Sequence, residues 1–271
     1  MPKEVKKMQN NKIPLWECNT PGYKAGEEIP TIEYFPAKNK LSRGCIIAFT
    51  GGAYQCRAPQ EGTVYAEYFS KIGIDTFNVD YRVKPTRFPY PLLDARRAVR
   101  YVRANAENFG IDPEKIAVIG SSAGGHLAAL LSTYNGEICC EGADEIDRFD
   151  YMPNAVALCY PVLDIEGHRL SFENLLDDRV SEHESVTPFC IANENTPKTF
   201  IWHAQTDACV KVDGAFRYAA RLNELGVSTE LHIYPTGNHG VGLAKDGRLY
   251  DPYIENWSEH FISWLKLNGW L

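Results

Sequence analysis

Short apolar runs rich in β-branched residues recur along the chain, and polar or glycine-rich turns separate them. Those of strand length are Thr31–Phe35, Cys45–Phe49, Thr76–Val79, Lys115–Ile119, Ala155–Tyr160, Thr199–Trp202 and Glu230–Tyr234. A continuous apolar run of this kind suits a strand buried on both faces. Between the runs the period becomes helical, at Val64–Ile72, Leu92–Phe109, Gly124–Leu131 and Ala215–Leu225. Trp257, Phe261, Trp264 and Leu265 fall at i, i+4, i+7 and i+8, an apolar stripe expected to cover a sheet. Pro91 near the start of the second helix and Gly110 just past its end fit the usual capping asymmetry. Alternating strands and helices predict an α/β fold, with a mostly parallel sheet and helices on both faces.

Two stretches interrupt this rhythm. Tyr134–Pro153 is polar and acidic, whereas Asp164–Pro197 is long and mixed. Long excursions at the carboxyl edge of a parallel sheet are where α/β proteins build pockets, so residues 164–197 are a candidate cap. Residues 1–12 read as a polar tail. With 271 residues, 44% of them hydrophobic, the chain is expected to form one α/β domain over 1–271.

The formal charge of -7 argues against nucleic acid or an anionic membrane as partner. Arg96, Arg97, Arg100 and Arg103 form a local basic stripe among Ala95, Ala98, Val99 and Val102, expected to be a solvated helix face. The first 15 residues hold no apolar core of signal-peptide length and no run matches a bilayer span, which predicts a cytoplasmic chain. Cys18, Cys45, Cys56, Cys139, Cys140, Cys159, Cys190 and Cys209 are scattered, which favours buried reduced thiols over disulfides. Neither C-x-x-C nor H-E-x-x-H occurs, so no metal site is expected.

Gly120-Ser121-Ser122-Ala123-Gly124 matches G-x-S-x-G between a predicted strand and a predicted helix. Chance gives about 0.06 such motifs in a chain of this composition. Strand, sharp turn and helix together make a nucleophile elbow, which lifts a serine hydroxyl above the sheet edge. Serine is a weak nucleophile and needs a base. His239 lies in the turn-rich segment Pro235–Gly240 directly after a strand, where a side chain can be presented at that edge. His126, His203, His232 and His260 sit in strands or helices and read as structural; His168 and His183 fall in the candidate cap. The base needs an acid, and Asp207 follows the Thr199–Trp202 strand at the same edge. Its competitor, Asp213, precedes a helix and is expected to be an N-cap. One oxyanion donor would be the N–H of Ala123, and the others should come from the glycine turn Thr50–Tyr54.

With these residues in place, the chain resembles the α/β-hydrolase superfamily. More narrowly, it is similar to small serine esterases related to acetyl xylan esterases and hormone-sensitive-lipase-like enzymes. Further marks are Asp80-Tyr81-Arg82, Pro89-Tyr90-Pro91 with Asp94, His203 with Asp207, and Asn238-His239-Gly240. The resemblance implies Ser122 as nucleophile, His239 as base, Asp207 as acid, and Gly52, Ala53 and Ala123 as oxyanion donors. The lipase-like relatives carry H-G-G-G where this chain has Thr50-Gly51-Gly52-Ala53, which points to the acetyl-ester group and leaves the second donor open. The expected reaction is two-step acyl transfer from a small-molecule ester, with no metal or diffusible cofactor. The resemblance implies acetylated xylo-oligosaccharides. Tyr54, Tyr160, Val210 and Val241 adjoin strand-end loops and are the expected substrate contacts. An amide hydrolase (aryl formamidase or oligopeptidase-like) on the same triad and a non-catalytic binding module are the alternatives. The oligomeric state, a homo-oligomer included, stays open.

Overall fold

The computed structural model describes residues 12–17, 19–138 and 144–271; residues 1–11 of the expected tail, Cys18, Cys139 and Cys140 lie outside them. Its strands are β1 (Lys12–Pro14), β2 (Thr31–Phe35), β3 (Cys45–Phe49), β4 (Asp75–Asp80), β5 (Ile116–Ser121), β6 (Ala155–Cys159), β7 (Thr199–Ala204) and β8 (Thr229–Tyr234). They form one sheet in the order β1-β2-β4-β3-β5-β6-β7-β8. The pairs β1–β2 and β2–β4 are antiparallel, and from β4 to β8 every pairing is parallel. Every predicted apolar run is a strand. The additional strand, β1, is an exposed three-residue edge, Lys12-Ile13-Pro14, too short to carry a period.

The helices are α1 (Thr63–Lys71), α2 (Tyr90–Ala104), α3 (Ala106–Phe109), α4 (Ala123–Thr133), α5 (Arg169–Leu176), α6 (Pro188–Ile191), α7 (Asp213–Glu224) and α8 (Trp257–Leu267). Side chains of β3 alternate between two cores, as the pleat requires. Cys45, Ile47 and Phe49 pack with Leu92, Val99, Leu127 and Tyr218 of α2, α4 and α7. Ile46 and Ala48 pack with Tyr65, Phe69, Trp257 and Phe261 of α1 and α8. The stripe of α8 therefore covers the sheet, with the Trp257 ring stacked on Trp202 at 5.3 Å. Gly110 ends α3 in the left-handed conformation, φ 64°.

The arginine stripe departs from expectation. Arg96, Arg97, Arg100 and Arg103 are buried, because the acidic segment that follows α4 folds back over α2. Arg97 pairs with Asp144 at 2.6 Å and Asp147 at 2.9 Å, while Arg100 donates to the Phe149 carbonyl at 2.9 Å. Arg103 donates to the Met152 carbonyl at 3.0 Å, and Arg96 to the Tyr134 carbonyl at 2.8 Å. While Leu92 and Val99 of the same helix pack on the sheet, a second layer of chain supplies the arginines with the partners that water would otherwise provide.

Two smaller expectations are also corrected. Asp213 is the first residue of α7 and caps nothing with its side chain; Val212 holds the N-cap position. A carboxylate in the first turn still meets the positive end of the helix dipole. Cys45 and Cys159 are buried free thiols, but Cys56, Cys190 and Cys209 are exposed, since they fall in loops or short helical turns rather than strands. The 164–197 excursion is helical, carrying α5, 3-10 turns over Asp177–Val186, and α6. It reaches the glycine turn, where Asn174 donates to the Ala53 carbonyl at 2.9 Å.

Candidate active site

β5 ends at Ser121 and α4 begins at Ala123, so Ser122 alone makes the turn, at φ 53° and ψ -120°. A non-glycine residue there is strained, and strain of this kind persists where the surroundings over-determine it. The surroundings do so here. A Cβ on Gly120 would overlap the Gly124 carbonyl, and one on Gly124 would overlap the carbonyls of Phe49 and Thr50. The Ser122 N–H donates to the Cys159 carbonyl and its carbonyl accepts from Val162, both at 3.0 Å.

His239 Nε2 lies 2.7 Å from Ser122 Oγ, and Nδ1 lies 2.7 Å from Asp207 Oδ2. Because an ionised carboxylate only accepts, Nδ1 carries the proton and Nε2 faces the serine hydroxyl as acceptor. The other carboxylate oxygen, Oδ1, accepts from the N–H groups of Cys209 at 2.9 Å and Val210 at 3.0 Å. Burial opposes ionisation of Asp207. The hydrogen bonds from His203 and His239, the His239 charge and the Val210 N–H outweigh it and hold the carboxyl well below the usual range.

The glycine turn packs directly on the serine. A Cβ on Gly51 would lie 2.9 Å from Ser122 Cβ. Gly52, Ala53 and Tyr54 follow at φ 126°, 55° and 55°, and Gln55 and Cys56 close the turn on the Gly52 carbonyl. The N–H groups of Gly52, Ala53 and Ala123 meet no acceptor among the described residues. Among the same residues, no cluster of three or more His, Cys, Asp or Glu is arranged to hold a metal ion.

The BD-FAE family profile matches residues 33–222, most of the chain and all but one of the elements above that carry the site. The chain belongs to the BD-FAE family. As a BD-FAE chain it is similar to an acetyl ester-xyloside bifunctional hydrolase from Caldicellulosiruptor lactoaceticus, with 35% identity, TM-score 0.88, and coverage of 97% of this chain and 98% of that one. It is 28% identical to an endo-1,4-β-xylanase B of Butyrivibrio fibrisolvens, over 94% of this chain and 40% of that protein. An acetylxylan esterase of Xylanibacter ruminicola is also 28% identical, over 82% of this chain and 45% of that protein. This BD-FAE chain thus spans less than half the length of those two relatives. Fold and family together place it among the α/β hydrolases, and the acetylxylan esterase is one of its relatives.

The remaining sites of the BD-FAE chain sort clearly. His126 is buried between the Tyr54 hydroxyl at 2.7 Å and the Val186 carbonyl at 2.8 Å, and burial pushes it down to about 4. His232 and His260 stack on each other beside Glu230 and Tyr234. His168 donates to or accepts from Ser171 Oγ at 2.8 Å, and the charges of His239 and Asp207 reach it after the larger effect of burial. The four expected substrate contacts, Tyr54, Tyr160, Val210 and Val241, are all buried. Tyr54 turns inward to His126, and Tyr160 packs edge-on to the His239 ring at 5.0 Å. Of the four, Tyr160 meets His239 and the Val210 N–H meets Asp207, and all are buried rather than set on an open rim. His203, read above as structural and set beside Asp207 only as a mark of the resemblance, sits 3.3 Å from Asp207 Oδ2, and Glu61, which no sequence signal singled out, sits beneath the glycine turn. A cleft of about 370 Å³ lined by Glu166, Gly167, Lys211, Asp213, Phe216 and Arg217 opens between the base of the excursion and α7.

Proposed function

We propose that this chain is a serine carboxylic ester hydrolase that works through Ser122, His239 and Asp207. The observation that carries the proposal is the unbroken relay from Ser122 Oγ through His239 to Asp207, with 2.7 Å at each link. In the first step Ser122 Oγ attacks the ester carbonyl while His239 Nε2 takes its proton. Asp207, ionised and buried, stabilises the imidazolium and fixes its tautomer. The developing oxyanion lies against the N–H groups of Ala123 and of Gly52 and Ala53. His239 then protonates the leaving alcohol, and a water activated by the same nitrogen frees the acid from Ser122.

The substrate class is a short acyl ester of a polar alcohol, with acetylated xylo-oligosaccharides as the leading case. Support comes from the acetyl ester-xyloside hydrolase and the acetylxylan esterase to which the chain is similar. The mixed charges and the exposed Phe216 of the neighbouring cleft also suit hydroxylated ligands better than acyl tails. The test is a turnover panel of acetylated xylo-oligosaccharides, p-nitrophenyl esters of rising chain length, and N-formyl aryl amides. Highest kcat/KM on acetyl esters, with a fall of at least about tenfold by octanoate, is expected. Preference for the amides would replace ester hydrolysis with amide hydrolysis on the same triad.

A further inference from the structure

One buried carboxylate stands where three loops of the candidate machinery meet. Glu61 belongs to the 3-10 turn Pro59–Glu61 before α1 and is 2% exposed. Its Oε2 accepts the Gly51 N–H at 2.7 Å, and its Oε1 accepts the Tyr160 hydroxyl at 2.8 Å. That hydroxyl accepts in turn from the Gly242 N–H at 3.0 Å, and the Gly242 carbonyl accepts the Trp257 indole N–H at 3.0 Å. The glycine turn after β3, the end of β6 and the loop bearing His239 are thereby joined through one carboxyl group. Only Gly51 separates that group from the nucleophile, since its backbone lies against both Glu61 and Ser122.

The charge is as unusual as the position. Among the described residues, Glu61 is hydrogen-bonded to an N–H and a hydroxyl, with no ammonium or guanidinium beside it. A buried carboxylate without a cation is costly to keep, and such groups concentrate where chemistry uses them. Burial raises the Glu61 carboxyl, against the opposing pull of Tyr160, the Gly51 N–H and the His239 charge. The other titratable groups that face it are Tyr65 of α1, Tyr81 after β4, and Cys159 and Tyr160 at the end of β6. Burial pushes the Cys159 thiol up to about 12 and raises all three tyrosines, so these groups stay neutral. His239 is the neighbour that gains charge during the proposed reaction.

We propose that Glu61 is a positioning residue: its carboxylate holds the Gly51–Tyr54 turn in register with Ser122 and places a second negative charge beside the His239 imidazolium. This rests on the triad assignment. Asp207 fixes the imidazole from one side, and Glu61 acts through Gly51 and Tyr160 without touching the reacting atoms.

The experiment compares Glu61→Gln, Glu61→Asp and Ser122→Ala with the intact chain, using p-nitrophenyl acetate across pH and a fluorophosphonate titration of active enzyme. In Glu61→Gln, kcat falls about 10- to 100-fold with KM within about twofold. The acidic limb of kcat/KM moves to lower pH by roughly half a unit to one unit, because a negative charge that favours the imidazolium is gone. Glu61→Asp keeps the charge but shortens the reach, so its kcat falls while the limb stays in place. An unmoved limb in Glu61→Gln, or a displaced limb in Glu61→Asp, overturns the proposal. If Glu61→Gln does not fold, Glu61→Asp alone decides by the position of its limb. Ser122→Ala separates the two claims: turnover retained there defeats the triad, whereas a dead Ser122→Ala beside an unmoved Glu61→Gln limb defeats only the role of Glu61.

Discussion

His203 stands 3.3 Å from Asp207 Oδ2, the same carboxylate oxygen that takes the proton-bearing nitrogen of His239. His203 Nε2 also lies 3.1 Å from the Val210 carbonyl, so that nitrogen faces two acceptors and carries the proton. Asp207 is thus held from the strand side by His203 and from the loop side by two backbone N–H groups. Replacing His203 with Phe keeps ring bulk and removes the donor. The expected result is a kcat about tenfold lower, roughly 1.4 kcal/mol at the barrier, with KM little changed. Steady-state kinetics on p-nitrophenyl acetate measures it.

Asp207 links activity to pH-dependent stability. Its folded carboxyl lies below the ordinary value near 3.9, so the stabilisation is fully present above that value. It is lost as pH falls through the ordinary value toward the folded one. Asp207→Asn therefore melts below the intact chain at pH 6, and the gap narrows as pH is lowered below about 4. Its kcat falls on the order of 10³- to 10⁴-fold, since the imidazole loses its fixed tautomer. Thermal melts from pH 3 to 7 check the first expectation; a gap that widens on acidification contradicts it.

The elbow trades stability for geometry. Ser122 holds φ 53°, a conformation that glycine adopts freely. Ser122→Gly is expected to abolish turnover yet raise stability by about 1 kcal/mol. Gly124→Ala acts in the opposite sense, because its Cβ overlaps two carbonyls of the neighbouring strand end. A loss of roughly 2–3 kcal/mol is expected, visible as a lowered midpoint in urea.

Arg97 clamps the segment after α4 through Asp144 and Asp147. Removing one partner of a buried pair leaves the rest unsatisfied, so Arg97→Ala should cost about 2–4 kcal/mol. Limited proteolysis is the sensitive measurement, with new cleavage between residues 144 and 154. An unchanged digestion pattern would show that the remaining arginines hold the segment without it.

The sheet was legible because β3, β5, β6 and β7 are buried on both faces and so read as uninterrupted apolar runs. The serine, the acid and the histidine were legible because each follows a strand directly. What escaped was set by tertiary partners. The arginines of α2 carry an outer-face pattern, and nothing in their spacing says that another segment covers them. Tyr54 adjoins a strand end, yet φ 55° turns its side chain inward to His126. Glu61 is a lone carboxylate in a turn, and only the folded chain brings Gly51 and Tyr160 to it. His203 was noted beside Asp207, but its contact depends on the backbone turn over Asp207–Val210 that brings the Val210 carbonyl alongside.

The most direct measurement is intact-mass analysis after exposure to a fluorophosphonate, with peptide mapping of the adduct, on the wild-type chain and on Ser122→Ala. One stoichiometric adduct on Ser122 is expected, none in the variant, and at least about 10⁴-fold lower ester turnover without Ser122. Labelling at another residue, or near-wild-type turnover of p-nitrophenyl acetate by Ser122→Ala, would overturn Ser122 as the nucleophile.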